Sequence, residues 1–418
     1  MNNPSVLSPT ESNKPRFFYG YTIVFAAFLI MTVMWGTIFS FGVFFKPVSS
    51  EFGWTRAMTS GAYSLYMILH GALHIVAGRI TDKFGPRIVV TVCGVFLGAG
   101  FLLMSQISSL WELYLFYGVV VGIGMGGSWV PMMSTVARWF VTRRGLMTGI
   151  IVSGMGVGTI IMPPLARWLI SDYGWQTSYL IVGVIALVVV TSAAQFLKRD
   201  PRQMGLSPYD RGKVKQENLT NEEKEFSFKE ALHTRQFQLV CVLLVCWGSF
   251  IHTSMVHIVP HVTDLGISAT VAASILAVIG GLSIAGRLVI GTIADKIGGR
   301  LTFAIVFSMM AVAFLWLILA KEIWMVYLFA LIFGFAFAGD VLQSILAAEL
   351  FGLKAHGVIL GVIAFVGTIG GAIGPLLAGY IFDTTGSYQS IFLSFAVLSL
   401  TALIITLLIR PISEKALK

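Results

Sequence analysis

Two charged side chains stand deep inside apolar runs of this 418-residue chain, and each has a chemistry of its own. Arg287 sits in an apolar stretch rich in Ile, Leu, Gly and Ala. A guanidinium stays charged at any relevant pH, and its planar fork pairs bidentately with a carboxylate. Asp340 follows the run Leu331-Ile-Phe-Gly-Phe-Ala-Phe337. Desolvation favours the neutral form of a carboxylate, and a nearby cation favours the charged one. An acid held between the two can load and release a proton as an arginine engages or frees an anion. A plainer alternative is that Arg287 and Asp340 neutralise each other and tie two helices together. Phe333 and Phe337 lie seven and three positions before Asp340, on the same helical stripe, and form either an apolar wall for a bound anion or core packing.

Other polar residues carry less. Glu349 and Arg167 fall near the ends of apolar runs, where long side chains snorkel cheaply to the interface. His70 and His74 are one helical turn apart, as are His257 and His261. No acid accompanies either pair at ligand spacing, so no metal site is expected, and a satisfied core or interface histidine is the plain reading. Cys93, Cys241 and Cys246 lie within apolar runs without a CxxC spacing and read as small buried hydrophobes. No nucleophile elbow, phosphate loop or metal-spaced cluster occurs. Catalytic residues and cofactors are therefore not expected, and an enzyme is disfavoured.

The elements that position these residues follow from composition. Hydrophobic residues make up 56% and charged residues 11% of the chain, with mean hydropathy +0.86. A soluble domain carries about 25% charged residues. The apolar residues fall into repeated runs of roughly 20, long enough to cross a bilayer core. Lipid satisfies no backbone polar group, so such runs must be helices. Twelve spans are expected, at 18–44, 58–80, 88–106, 110–136, 145–170, 175–197, 236–262, 268–293, 300–320, 323–350, 357–381 and 387–410. The polar residues 1–17 hold no apolar stretch after a basic start, so no cleavable signal peptide is expected.

Residues 198–235 form the longest polar stretch. Its end, Ser227-Phe-Lys-Glu230, has the spacing of a capping box and predicts a short helix leading into the seventh span. With the N-terminus inside, the inner segments hold every Lys and Arg except Lys46, Arg56, Arg167, Lys321 and the intramembrane Arg287. That asymmetry predicts cytoplasmic termini. It also accounts for the net charge of +9 without a nucleic-acid partner. The Asn218 sequon then lies inside, where it stays unglycosylated.

An internal repeat organises the chain. Trp111-x-x-Tyr-Leu-Phe116 returns as Trp324-x-x-Tyr-Leu-Phe329, and Gly78-Arg-Ile-Thr-Asp-Lys-Phe-Gly-Pro-Arg87 as Gly291-Thr-Ile-Ala-Asp-Lys-Ile-Gly-Gly-Arg300, both 213 positions later. A weaker echo relates Pro164–Asp172 to Pro375–Asp383. The same offset sets His74 at the position of Arg287. Two copies in one orientation require an even number of spans each. The expected division is a tail over 1–17, a six-helix bundle over 18–197, a cytoplasmic linker over 198–235, a second bundle over 236–410 and a tail over 411–418. Parallel repeats place a substrate site between the halves near the midplane.

With these features the chain resembles a major facilitator superfamily transporter over essentially its whole length, an all-α membrane protein of twelve helices in two pseudo-symmetric bundles. The twice-present G-x-x-x-D-[KR]-x-G-x-R loop resembles that superfamily's signature. The resemblance implies a conformational latch made by Gly78, Asp82, Arg87, Gly291, Asp295 and Arg300. Three segments are similar to the monocarboxylate transporter and oxalate:formate antiporter branch. They are Phe41–Lys46 with Glu51–Trp54, Ala137–Arg144 leading to Gly149, Gly154 and Gly158, and Gly374–Gly379 with Asp383 and Gly386.

In that branch an arginine of span eight is tied to anion recognition, and Ala285-Gly-Arg287-x-x-x-Gly291 matches it. The resemblance further implies a cavity-facing role for His257 in span seven; Trp129 in span four and Phe365, the only aromatic between Gly357 and Gly379 in span eleven, are candidate cavity walls. His74 follows Asp340 as a candidate proton carrier.

Departures from the branch matter. Phe39 and Ser283 stand where monocarboxylate transporters have a lysine and an aspartate. The second cation that oxalate:formate antiporters carry in span eleven is missing. One deep Arg with one deep Asp suits a monoanion. The expectation is a proton-coupled monocarboxylate symporter of the lactate or pyruvate type, monomeric in a bacterial inner membrane. An anion antiporter of the oxalate:formate type is the alternative.

Overall fold

The computed structural model describes residues 18–140, 143–206, 226–352 and 355–409. Both expected tails, most of the expected linker, the Asn218 sequon and the side chain of Asp82 lie outside the described residues. Every long element is helical. The first crossing is α1 (Gly20–Phe39) continued by α2 (Phe41–Phe52). Next come α3 (Arg56–Phe84) and α4 (Pro86–Met104). The fourth crossing is built from α5 (Leu110–Leu113), a π-helical stretch (Tyr114–Val121), α6 (Gly122–Met125) and α7 (Val130–Trp139). The fifth and sixth run together in α8 (Arg144–Ala194), which turns at Gly174 with φ 78°.

The second half repeats the plan. The short α9 (Phe228–Leu232) precedes α10 (Arg235–Asp264), α11 (Ala269–Ile297) and α12 (Gly299–Leu319). The tenth crossing is α13 (Ile323–Phe337), a 3₁₀ turn (Ala338–Val341) and α14 (Leu342–Phe351). Last come α15 (His356–Thr385) and α16 (Gln389–Leu408). The predicted capping box is formed: Ser227 N donates to Glu230 Oε2 at 2.8 Å, and Glu230 N to Ser227 Oγ at 3.3 Å.

Ten stretches among the described residues are long and apolar enough to cross a membrane. One of them, Gly145–Ala194, holds two crossings divided at Gly174. The remaining crossing, α3, is 29 residues long but carries several charges at its ends. The expected first span stops too early at 44, because the helix runs on to Phe52 through Pro47.

The repeat is visible in the backbone. Helices α3 and α11 have 29 residues each and end at glycines of matching geometry, Gly85 at φ 87°, ψ 161° and Gly298 at φ 87°, ψ 157°. Only glycine reaches that φ without strain, so the signature loops need it there. Crossings four and ten both break at their middles, at Gly126–Trp129 and at Ala338–Val341. Small residues let crossings one and five touch: a Cβ on Gly158 would overlap Thr32 O and Gly36 of α1. Membrane helices lack a hydrophobic drive to associate and depend on such close packing.

Candidate functional site

The break in the tenth crossing is what positions Asp340. The 3₁₀ turn tightens the helix just after the phenylalanine-rich α13, and Asp340 lies within it. Opposite, α11 carries Arg287 on a face with Ser283 one turn earlier. Arg287 Nε lies 3.2 and 3.1 Å from the two Asp340 oxygens, and Nη2 donates to Oδ2 at 2.8 Å. Nη1 donates to the Ser283 hydroxyl at 3.2 Å, which itself donates to Gly280 O. The Nε–Nη2 edge is thus taken by the acid, while the Nη1 side meets only a neutral hydroxyl among the described residues. The two side chains keep 7% and 14% of their exposure, so the pair is not fully enclosed by protein.

Each charge alone in the membrane would cost about 2.5–3.5 kcal/mol on insertion scales. Paired, they neutralise each other, and removing one leaves the other uncompensated. An anion arriving at Nη1 competes with a weak partner. Protonating Asp340 would loosen the Nε–Nη2 edge as well and leave the whole fork to the anion.

Aromatic rings floor this pair. The Phe337 ring centroid is 5.8 Å from Arg287 Cζ, and Phe39 from the first half meets Phe337 edge to face at 5.8 Å. Phe39, at the position expected to hold a lysine in monocarboxylate transporters, is thus linked to Arg287 through the Phe337 ring. Phe365 is half-buried and sits beside Gly71, on the contact between α15 and α3. Trp129 is half-buried and occupies the break in crossing four, immediately before α7. His74 is half-buried, with its ring 4.2 Å from that of His70.

His257 lies elsewhere. It is buried at 1% exposure in a seam that joins the two halves. Its Nε2 is 2.8 Å from Pro375 O, which only accepts, so Nε2 carries the proton. Nδ1 then accepts from the Tyr388 hydroxyl at 2.9 Å. Tyr388 O takes Arg56 Nη1 at 2.5 Å.

Around it, Asp264 binds Lys46 at 2.5 Å and Arg56 at 2.6 Å. Asp383 accepts from the backbone N–H groups of Arg56 and Ala57 at 2.8 and 2.7 Å, capping α3 from the other half. The seam continues through Ser64, whose hydroxyl donates to Ala372 O at 2.6 Å, and through Tyr63 and His252 at 2.9 Å. Sequence reading passed over Asp264 and the seam, because charges near span ends look inexpensive. The available signal was that Asp264 and Asp383 end crossings on the side that also holds Lys46 and Arg56.

At the opposite end three hydrogen bonds each run within one half. Arg87 Nε donates to Gln195 Oε1 at 2.7 Å, Gly299 N to Glu349 Oε1 at 2.7 Å and Arg300 Nη2 to Leu407 O at 2.8 Å. Gly78 faces Val130, a Cβ at Gly291 would meet open space, and Asp295 is exposed. The six expected latch residues thus lie at one end of the molecule, three in each half. No group of three or more metal-ligating side chains gathers among the described residues.

The family model of the Major Facilitator Superfamily matches residues 23–372 and 238–418. Monocarboxylate transporter 13 of Bos taurus is 29% identical over 385 residues, covering 90% of this chain and 85% of that protein. The oxalate:formate antiporter of Oxalobacter formigenes is 28% identical over 321 residues, covering 75% of this chain and 71% of that one. Among solved structures, a bacterial homolog of the human lysosomal transporter Spinster, inward-facing and unoccupied, aligns with a TM-score of 0.73 at 18% identity, covering 95% of this chain and 97% of that one.

Proposed function

We propose that this chain, which belongs to the Major Facilitator Superfamily, is a proton-coupled symporter of small monocarboxylates of the lactate or pyruvate type. The observation that carries the reading is the partly exposed Arg287–Asp340 pair in the broken tenth crossing. Arg287 takes the carboxylate, with Phe337 as an apolar wall. Asp340 takes the proton that frees the guanidinium, with His74 next in line. Similarity to a monocarboxylate transporter over most of both chains supports the substrate class. The protein acts as a monomer in a bacterial inner membrane with both termini cytoplasmic, in keeping with its basic residues. The Arg56 seam then closes the outer side, and alternating access opens it.

An antiporter of the oxalate:formate type is the second reading, favoured by the similarity to that relative. The lack of a Lys or Arg in α15 speaks against a dianion. Reconstitution into liposomes with labelled lactate separates the two. A symporter accumulates lactate when an inward proton gradient is imposed on vesicles free of internal anion. Uptake that needs internal anion and ignores the gradient would replace symport with exchange.

A further inference from the structure

A groove of about 700 Å³ runs along the surface of the second half. Ile297 of α11, Leu301, Ala304, Ile305 and Ser308 of α12, and Ile332 of α13 line it. Helix α12 packs chiefly on α11, α13, α14 and α16, all of its own half, so the groove lies off the path between the halves. Its volume falls within the range of about 300–1,000 Å³ that holds a small-molecule ligand. Ala304, 7% exposed, forms the floor, and Leu301 and Ile305, at 46% and 43%, form the rim. The one hydroxyl in the lining, Ser308 Oγ, spends its hydrogen on Ala304 O at 2.9 Å. A polar solute would lose water there without finding a donor. The walls suit a hydrocarbon chain.

Length and charge say which hydrocarbon. From Leu301 to Val312 the groove follows α12 for about 16 Å, at about 1.5 Å per residue. One leaflet is half of a hydrocarbon core about 30 Å thick. The groove thus has the depth of a single leaflet. It starts at the end of the molecule that carries the second signature loop, where Lys296 stands next to Ile297. Lys296 is exposed, and among the described residues no acid or ring holds its ammonium. Its counterpart in the first half, Lys83, instead lies 5.1 Å over the Phe84 ring, whereas position 297 holds an isoleucine. The other charges at this end are Asp295, which is exposed, Glu349, which accepts from Gly299 N, and Arg300, which donates to Leu407 O. A long lysine side chain at a membrane surface reaches for headgroups.

We propose that the groove is a phospholipid site. One acyl chain of an inner-leaflet lipid lies on Ala304, between the Leu301–Ile305 rim and Ile332, and its phosphate meets Lys296. The choice of leaflet rests on the orientation proposed above, and the site itself does not. A chain bound there fills the gap between α12 and α13 and so braces the crossing whose turn holds Asp340.

The test is native mass spectrometry of the full chain, stripped of lipid in detergent and titrated with dioleoylphosphatidylglycerol or dioleoylglycerol. Wild type holds one phosphatidylglycerol about fivefold more tightly than the phosphate-free diglyceride, the weight of one lysine at a charged interface. Lys296→Gln still binds both and erases that difference. Ala304→Phe fills the groove and weakens both roughly tenfold or more, the loss of a few buried methylenes. Ser308→Leu narrows the same wall and gives the answer should Ala304→Phe melt early. Wild-type affinity in both groove variants overturns the site, and an undiminished preference in Lys296→Gln overturns the phosphate contact. A two-chain species that Ala304→Phe dissociates would give the groove to a second copy of this chain and overturn the lipid as occupant. Acid uptake enters none of these measurements, so the site stands or falls separately from the proposed transport.

Discussion

Two clusters of basic residues with Asp among the described residues differ in which bodies they join. Arg56, Lys46, Asp264 and Asp383 bind one half to the other through several bonds. Arg287 and Asp340 belong to the same half, on α11 and the turn of crossing ten. Bonds between halves exist in one state and must break when the halves rock apart, so they select the state. A pair inside one half rides through that motion intact, and its equilibrium is left to respond to a proton or an anion. On the function proposed above, equal chemistry serves a gate in one place and a binding site in the other.

The comparison fails most visibly if Arg287 is only structural. Arg287→Ala should lower lactate affinity about 10- to 150-fold, the loss of a charge-assisted bond worth about 1.5–3 kcal/mol. Arg287→Lys should fare nearly as badly for want of the fork. Binding and uptake in Arg287→Ala and in Arg287→Ala with Asp340→Ala decide the matter. Recovery in the double variant would mean a static pair.

Asp340→Asn keeps the shape and removes the charge. Uphill lactate accumulation under an imposed proton gradient should vanish, while exchange of labelled for unlabelled lactate persists. Wild-type accumulation would send the proton elsewhere, with His74 the next candidate.

At the seam the effect should be smaller. Asp264→Asn removes the acid shared by Lys46 and Arg56, a partly exposed cluster whose pairs are each worth up to about 1 kcal/mol. Labelling of Ser60→Cys, a fully buried position, by an impermeant maleimide should quicken by roughly two- to tenfold. Unchanged labelling would deny the seam its gating role.

The smallest effect concerns the signature glycines. A Cβ at Gly291 meets nothing within 4 Å, whereas at Gly78 it meets Val130 at 3.2 Å. Gly291→Ala should stabilise the present state by about 0.5–1 kcal/mol through helix propensity, read as a raised melting temperature, yet slow transport. A normal turnover rate would show that no close approach occurs there in the other state.

Much of this was legible along the chain. Apolar runs demand helices in lipid whatever their tertiary partners, so the crossings, the two-fold repeat and the glycine-ended signature loops follow from local physics. Arg287 and Asp340 also stand out alone, because charge in an apolar run is costly anywhere. The short helix after Ser227 was readable because a capping box closes within four residues.

Only the tertiary structure decided how these pieces act. The Arg287–Asp340 bond depends on two helices meeting at a break that no propensity marks. His257 was expected at the cavity and lies in the seam, because its neighbours Ser60, Pro375 and Tyr388 come from distant crossings. The groove along α12 is likewise invisible in the sequence, since three helices wall it. A residue type states what a group can bond to, and packing alone determines whether the chain supplies that bond or leaves it to a ligand.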